Sequence, residues 1–239
     1  MKSSYKQSFK LSNTDFDLNG NVSSAKVLDL FQIVASKHAD IIGVGFKKLI
    51  KKDLIWVLVR TKYNVVKPLT PNTKVNVITW PKQKGTIDFD REYEIVDNKG
   101  DVCIKGISKW VLVNYKTRRL SFAKDVEYKC TIMNKTNFPN GISKLVDFDI
   151  TDCNLYKTIT SKQDLDKNGH INNANYLKYI FSGIKLNENE VIKSVEINYI
   201  KELMSDKEID IYYKRENETI YVKCISDNNL SFIATIILN

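Results

Sequence analysis

Histidine is scarce in this chain. Only His38 and His170 occur in 239 residues, so few places can exchange a proton near neutral pH. Four cysteines are present, Cys103, Cys130, Cys153 and Cys224, and none sits in a Cys-x-x-Cys motif or within metal-pair spacing of another. That argues against a disulfide framework or a metal site and for free thiols that pack as small apolar groups. With two histidines a zinc site has poor material, and no metal or other cofactor is expected. No apolar run approaches the length of a membrane span. The start, Met-Lys-Ser-Ser-Tyr-Lys-Gln, lacks the apolar stretch of a signal peptide, so the cytoplasm is the expected location. A net charge of +9 favours acidic partners, but the lysines look spread along the chain without a dense basic run interleaved with aromatics. A nucleic-acid role is therefore discounted.

One short motif occurs twice. Residues 164–177 read Asp-Leu-Asp-Lys-Asn-Gly-His-Ile-Asn-Asn-Ala-Asn-Tyr-Leu, and residues 15–28 read Asp-Phe-Asp-Leu-Asn-Gly-Asn-Val-Ser-Ser-Ala-Lys-Val-Leu. At an offset of 149, Asp15, Asp17, Asn19, Gly20, Ala25 and Leu28 fall on Asp164, Asp166, Asn168, Gly169, Ala174 and Leu177. His170 falls on Asn21. Two copies of one structural unit are expected, and only the second carries a proton-transfer residue. The pattern suggests an ancestral two-fold enzyme fused into one chain, with one half kept for chemistry.

Each copy leads into a helix and then into strands. Val27, Leu28, Phe31, Val34, Ala35, His38, Ile41 and Ile42 share one helical face, with Ser23 or Ser24 as the cap and Gly43 as the stop. After the second copy, Asn173, Leu177, Ile180, Phe181 and Ile184 predict a shorter helix capped by Asn172 or Asn173. Strand-like runs cover 54–66, 73–80, 86–97 and 102–115, with Asp97-Asn98-Lys99-Gly100 as a turn, and then 192–201, 207–214, 218–225 and 230–238. A helix with one apolar face beside several antiparallel strands must bury that face on the sheet. The expected fold class is α+β, a tandem (double) hotdog in which two long helices are each wrapped by a curved antiparallel sheet. The expected boundaries are 1–125 for the first hotdog, 126–146 for a connecting segment and 147–239 for the second hotdog with the catalytic residues.

In the second copy Asp166, Asn168 and His170 project from a glycine loop just before a helix N-terminus. That combination offers a proton-transfer group, a polar orienter and backbone N–H donors for a developing oxyanion. Turns rich in Asp, Asn and Gly are commonly structural, and the first copy shows that the turn itself needs no histidine. His38, on the apolar face of the first helix with no carboxylate or cysteine at useful spacing, reads as a hydrogen-bonded core or interface residue. At an offset of 134, Lys74-Val75-Asn76-Val77 falls on Glu208-Ile209-Asp210-Ile211 and Pro68 falls on Glu202, so this carboxylate also belongs to one half only. Alone, Glu202 reads as an exposed strand-end residue.

Three segments resemble the acyl-acyl carrier protein thioesterases of plants and bacteria. They are Asp164 to Asn173, Ser108-Lys109-Trp110-Val111-Leu112-Val113-Asn114-Tyr115-Lys116-Thr117-Arg118-Arg119-Leu120-Ser121, and Tyr199-Ile200-Lys201-Glu202. The resemblance implies hydrolysis of the thioester joining a fatty acyl chain to the phosphopantetheine arm of acyl carrier protein (ACP). It implies Asp166, Asn168, His170 and Glu202 as the catalytic set. Amides near Asn172 and Asn173 are the expected oxyanion donors, and Leu28, Phe31, Gln32 and Ala35 the expected lining of an acyl pocket. Many plant members have a cysteine directly after the glutamate; here the residue is Leu203, which disfavours an acyl-cysteine mechanism and favours attack by water. The rival expectations are an acyl-CoA thioesterase, a non-catalytic acyl-binding hotdog protein and a hydratase or dehydratase. The oligomeric state is expected to be a monomer or homodimer.

Overall fold

A computed structural model describes residues 3–17, 19–166 and 169–239. The chain divides into two compact units, one of residues 1–13 and 29–142, the other of residues 14–28 and 143–239.

In the first unit the strands are β1 (Tyr5–Lys10), β2 (Leu54–Val65), β3 (Lys74–Pro81), β4 (Asp88–Val96), β5 (Val102–Asn114) and the short β6 (Leu120–Ser121). In the second they are β7 (Asn154–Ile159), β8 (Ile192–Tyr199), β9 (Glu208–Glu216), β10 (Thr219–Ser226) and β11 (Asn229–Leu238). Within the first unit the order is β1-β3-β4-β5-β2, with β6 beside β5; within the second it is β7-β9-β10-β11-β8. The named pairings are antiparallel, and the two orders are the same under the replacement of β1–β5 by β7–β11. The repeat seen in the motif therefore extends to the whole strand order. The edge strands β1 and β7 begin at residues 5 and 154, which keeps the offset of 149.

The helix α1 (Ser24–Ile41) follows the first loop. Ser23 Oγ accepts the Lys26 N–H, so Ser23 is the cap. At the other end Val44 N–H donates to Ala39 O and Gly43 N–H to Asp40 O, with Gly43 at φ +86°. That is a Schellman closure, and it needs a residue that tolerates left-handed backbone. Phe31, Val34, Ala35 and His38 are buried as the spacing predicts, whereas Ile41, the last helical residue, is exposed. The face sits close to the sheet: the Phe31 ring stacks on Tyr93 of β4 at 4.3 Å, and a Cβ on Gly106 of β5 would lie 2.3 Å from that ring. Burying each large apolar side chain of this face stabilises the unit by about 1.5–3 kcal/mol.

The second helix is not long. Residues Asn173–Asn175 form a 3-10 turn, and α3 spans only Tyr176–Gly183. Asn172 is the cap, its Oδ1 accepting the Ala174 N–H. At the far end Gly183 lies against Tyr156 of β7, where a Cβ would be 2.2 Å from the ring, and Ile184 turns extended. Tyr176, Leu177, Tyr179 and Ile180 are the buried face.

The connection between the hotdog strands is extended and fastened at both ends. Buried Glu92 accepts from Thr136 Oγ1, Asn137 N and Phe138 N, and buried Glu94 accepts from Lys135 Nζ and Asn137 Nδ2. In the second unit Leu145 N–H donates to Asn198 Oδ1, and Lys223 Nζ sits 2.7 Å from Asp147. His38 is fully buried with its Nδ1 3.1 Å from Arg91 Nη1, so it is a hydrogen-bonded core residue of the first unit.

Candidate active site

The loop carrying His170 is set by its backbone. Leu165 and Ile171 form an isolated bridge, Asp166 N–H donates to His170 O (2.7 Å), Gly169 N–H to Asp166 O (3.2 Å) and Asn172 N–H to Asp164 O (2.8 Å). Gly169 takes φ +82°, a left-handed conformation that costs a residue with a Cβ about 1–2 kcal/mol. The first loop has the same bonds residue for residue. Phe16 and Val22 bridge, Asp17 N–H donates to Asn21 O, Gly20 N–H to Asp17 O at φ +77°, and Ser23 N–H to Asp15 O. Asp17 Oδ1 accepts the Asn21 N–H at 2.8 Å, as Asp166 Oδ1 accepts the His170 N–H at 3.2 Å. The aspartate at this position thus holds the loop closed in both copies.

Glu202 is held from both sides. Just past β8, Ile200 N–H and Lys201 N–H both donate to Ser231 O, as Val66 N–H and Lys67 N–H donate to Cys103 O in the first unit. The next residue, Leu203, is fully buried; its N–H donates to Tyr176 Oη (2.9 Å) and its O accepts from Ile171 N–H (2.9 Å). Its counterpart at an offset of 134 is Leu69, also buried, so this position is a core anchor in each half. Leu203 therefore fixes the segment on which Glu202 projects and ties it to the histidine loop.

The result is a facing pair. His170 Nε2 and Glu202 Oε2 are 3.4 Å apart, the two side chains 26% and 50% exposed. Both are open to water, and the separation is at the outer limit of a direct hydrogen bond. Asn168 lies outside the described residues. The Asn172 N–H is taken by Asp164 O and its side chain by Ala174 N–H, so this residue is a cap and its amide is not available as an oxyanion donor. Of the pocket candidates, Leu28, Phe31 and Ala35 are buried and Gln32 is partly exposed; Phe31 is committed to Tyr93 and Gly106.

Two supports were missed in the sequence. Tyr176, whose hydroxyl is pushed up by burial, presents that oxygen to Leu203 N–H. Asp164, 5% exposed, accepts from Tyr179 Oη (2.6 Å) and Lys178 Nζ (2.8 Å) while its carbonyl holds Asn172. A buried acid inside a polar motif was the available signal for Asp164; nothing in the spacing marked Tyr176.

The four cysteines are free, and burial pushes each of their thiols up. A thiolate nucleophile requires the opposite shift.

Two units of identical strand order, each with a helix against its sheet, define a tandem hotdog protein. The architecture is shared with a crystal structure of an acyl-ACP thioesterase from Bacteroides thetaiotaomicron (TM-score 0.85, 21% identity, covering 99% of this chain and 98% of that one). It is shared equally with the 12:0-ACP thioesterase from Umbellularia californica (TM-score 0.85, 21% identity, 100% and 98%). Family models of the acyl-ACP thioesterase N-terminal and C-terminal domains match residues 2–128 and 151–232. The chain belongs to the acyl-ACP thioesterase family. It is 26% identical to the chloroplastic oleoyl-acyl carrier protein thioesterase 2 of Arabidopsis thaliana, over 95% of this chain and 67% of that protein. It is 28% identical to the chloroplastic palmitoyl-acyl carrier protein thioesterase of the same plant, over 84% and 53%. The chain spans about half to two thirds of the length of the curated relatives it matches. Among the described residues no helix is long and apolar enough to cross a membrane.

Proposed function

We propose that this protein hydrolyses the thioester of fatty acyl-ACP, releasing a free fatty acid and the carrier with its thiol restored. The observation that carries the reading is the His170–Glu202 pair, 3.4 Å apart and open to water, whose counterparts in the first half are Asn21 and Pro68. Water attacks the acyl carbonyl while Glu202 and His170 share the roles of base and water-orienting group. The carbonyl oxygen becomes an oxyanion, for which the Asn173 amide is the donor that remains once Asn172 is assigned to its cap. Collapse breaks the carbon–sulfur bond, and the proton taken from water goes to the departing thiolate. Asn168, by the family likeness, positions the water or the carbonyl. Asp166 holds the loop through the His170 N–H.

The first unit accommodates the acyl chain, with Gln32 and Ala35 in its lining, and the second unit, with Asp166, Asn168, His170 and Glu202, is the catalytic half. The protein acts in the cytoplasm, as a monomer or homodimer. The test is thiol release from a panel of acyl-ACPs and from the same acyl chains on coenzyme A, with wild type beside His170→Ala. Turnover on the carrier protein that disappears in the variant is the expected result. Faster turnover on coenzyme A reassigns the carrier, and no turnover on either by a folded protein refutes the hydrolase reading.

A further inference from the structure

The basic residues that look dispersed in the sequence are gathered by the fold of the first unit. The short helix α2 (Phe46–Leu49) and the 3-10 turn Ile50–Lys52 carry Lys47, Lys48, Lys51 and Lys52. The turn after β5 and the segment through β6 carry Lys116, Arg118, Arg119 and Lys124. The two stretches are locked together. Tyr115 N–H donates to Asp53 O (2.9 Å), Lys52 Nζ donates to Asp125 O (3.1 Å), and Leu49 shares one core cluster with Leu54, Leu112, Ala123 and Val126.

All eight cations are exposed. Residues 46–53 and 115–125 contain only two acids, Asp53 and Asp125, so these stretches hold six of the chain's nine net positive charges. Asp53 pairs with Lys116 at 2.8 Å, and Asp125 accepts from Ser121 Oγ and Phe122 N. The same stretches expose bulky apolar side chains: Phe46 (57%), Leu120 (57%), Phe122 (53%) and Tyr115 (36%). Lys116 Nζ lies 5.8 Å from the Tyr115 ring centre and Lys124 Nζ 5.4 Å from that of Phe122. The tip is fixed in shape, since Asn114 Oδ1 accepts the N–H groups of Lys116 and Thr117, and Arg118 N–H returns to Asn114 O with Arg118 at φ +60°.

We propose that this edge docks the protein peripherally on an anionic lipid bilayer, with Phe46, Leu120 and Phe122 seated at the headgroup–acyl boundary and the flanking cations on lipid phosphates. Cations alternating with Phe, Leu and Tyr are the composition of an interfacial segment, where each group finds its own layer. Exposed apolar groups rimmed by charge mark an interaction surface. A bilayer interface uses the charge and the four exposed apolar side chains together; an acidic protein partner could bury the same groups, and a vesicle-free ACP assay separates the two. The surface needs no turnover to act.

The test is co-sedimentation of the full chain with vesicles of phosphatidylcholine alone and of phosphatidylcholine mixed with phosphatidylglycerol. Binding to the mixed vesicles is expected to exceed binding to neutral ones by about tenfold or more, and to fall as salt rises. Arg118→Gln with Arg119→Gln should lower it by on the order of tenfold. Leu120→Ser with Phe122→Ser should abolish the part that survives high salt. Lys157→Gln with Lys162→Gln, in the second unit, should change nothing. Melting curves check that each variant folds, and the salt titration of wild type tests the idea without any variant. Equal binding to both vesicle types overturns the proposal. So does an arginine variant that keeps vesicle binding while losing affinity for ACP in a vesicle-free assay, which would assign the edge to an acidic protein.

Discussion

His170 and Asn21 occupy the same position in two copies of one loop. Each donates its backbone N–H to an aspartate Oδ1 four residues earlier, and each accepts on its carbonyl the N–H of that same aspartate. The shared closure of the loop is made by backbone and aspartate; in the first copy Asn21 Nδ2 also donates weakly to Asp17 (3.3–3.4 Å), whereas in the second the His170 side chain faces Glu202.

The two closing aspartates separate structure from function. Asp166→Ala removes the hydrogen bond to the His170 N–H, and Asp17→Ala removes those to the Asn19 and Asn21 N–H groups, each worth about 0.5–1.5 kcal/mol. Both variants should melt a few degrees lower. Only Asp166→Ala should also lose turnover, because only there does the loop carry the histidine. Equal loss of kcat in both variants would show that the first loop takes part in the chemistry.

Tyr176→Phe tests the support under Glu202. It leaves the buried Leu203 N–H without its acceptor, at a cost of about 1–3 kcal/mol. The segment bearing Glu202 loses one of its two anchors, so kcat should fall while KM moves little. Unchanged kcat in a destabilised Tyr176→Phe protein would contradict the claim that this hydroxyl positions Glu202.

Thiol chemistry should be irrelevant. Burial raises all four thiols, and the position after Glu202 is an apolar anchor in both halves. Iodoacetamide at neutral pH should leave turnover unchanged, and Leu203→Cys should not improve it. Rapid inactivation by the alkylating agent, protected by substrate, would point to a cysteine nucleophile.

Acid should loosen the end of the connection. Lys223 at 2.7 Å holds the Asp147 carboxyl below the usual carboxylate range, helped by the Phe148 N–H and opposed by partial burial. A carboxyl depressed in the folded state contributes stability above its unfolded value of about 4 and loses it as pH falls through the lower folded value. Asp147 is 55% exposed, so solvent screening limits the contribution to a few tenths of a kcal/mol, roughly the level of surface pairs. The melting-temperature gap between wild type and Asp147→Asn should be present at neutral pH and close as pH falls below the ordinary carboxylate range. A gap that stays constant across that range would assign the difference to something other than this ion pair.

Much of this was legible in the chain because repetition and periodicity are local. The offset of 149 located both loops and the offset of 134 aligned Pro68 with Glu202, and the paired backbone bonds follow both. The eight long strand runs were visible from alternation and turn chemistry. The second helix follows its apolar spacing from Asn173 to Gly183, but its first turn is 3-10, so the α-helical part is short and not one of two long helices. The acceptor of the Asn172 amide, Asp164 O, is set by loop closure rather than by residue type, so spacing alone does not reveal it. The basic edge escaped notice because it joins two stretches about sixty residues apart through Leu49, Ala123 and the Tyr115–Asp53 bond.

The most direct measurement is steady-state hydrolysis of acyl-ACP by His170→Asn, which makes the second loop chemically like the first, alongside Asn21→His. Both proteins should fold, since the bonds shared by the two loops are made by backbone and aspartate; Asn21→His gives up only the long Asn21 Nδ2 contacts to Asp17. His170→Asn should lose about a hundredfold or more in kcat, the scale of positioned acid–base catalysis, and Asn21→His should be as active as wild type. Turnover by His170→Asn within a few-fold of wild type would contradict the assignment of the chemistry to the second loop.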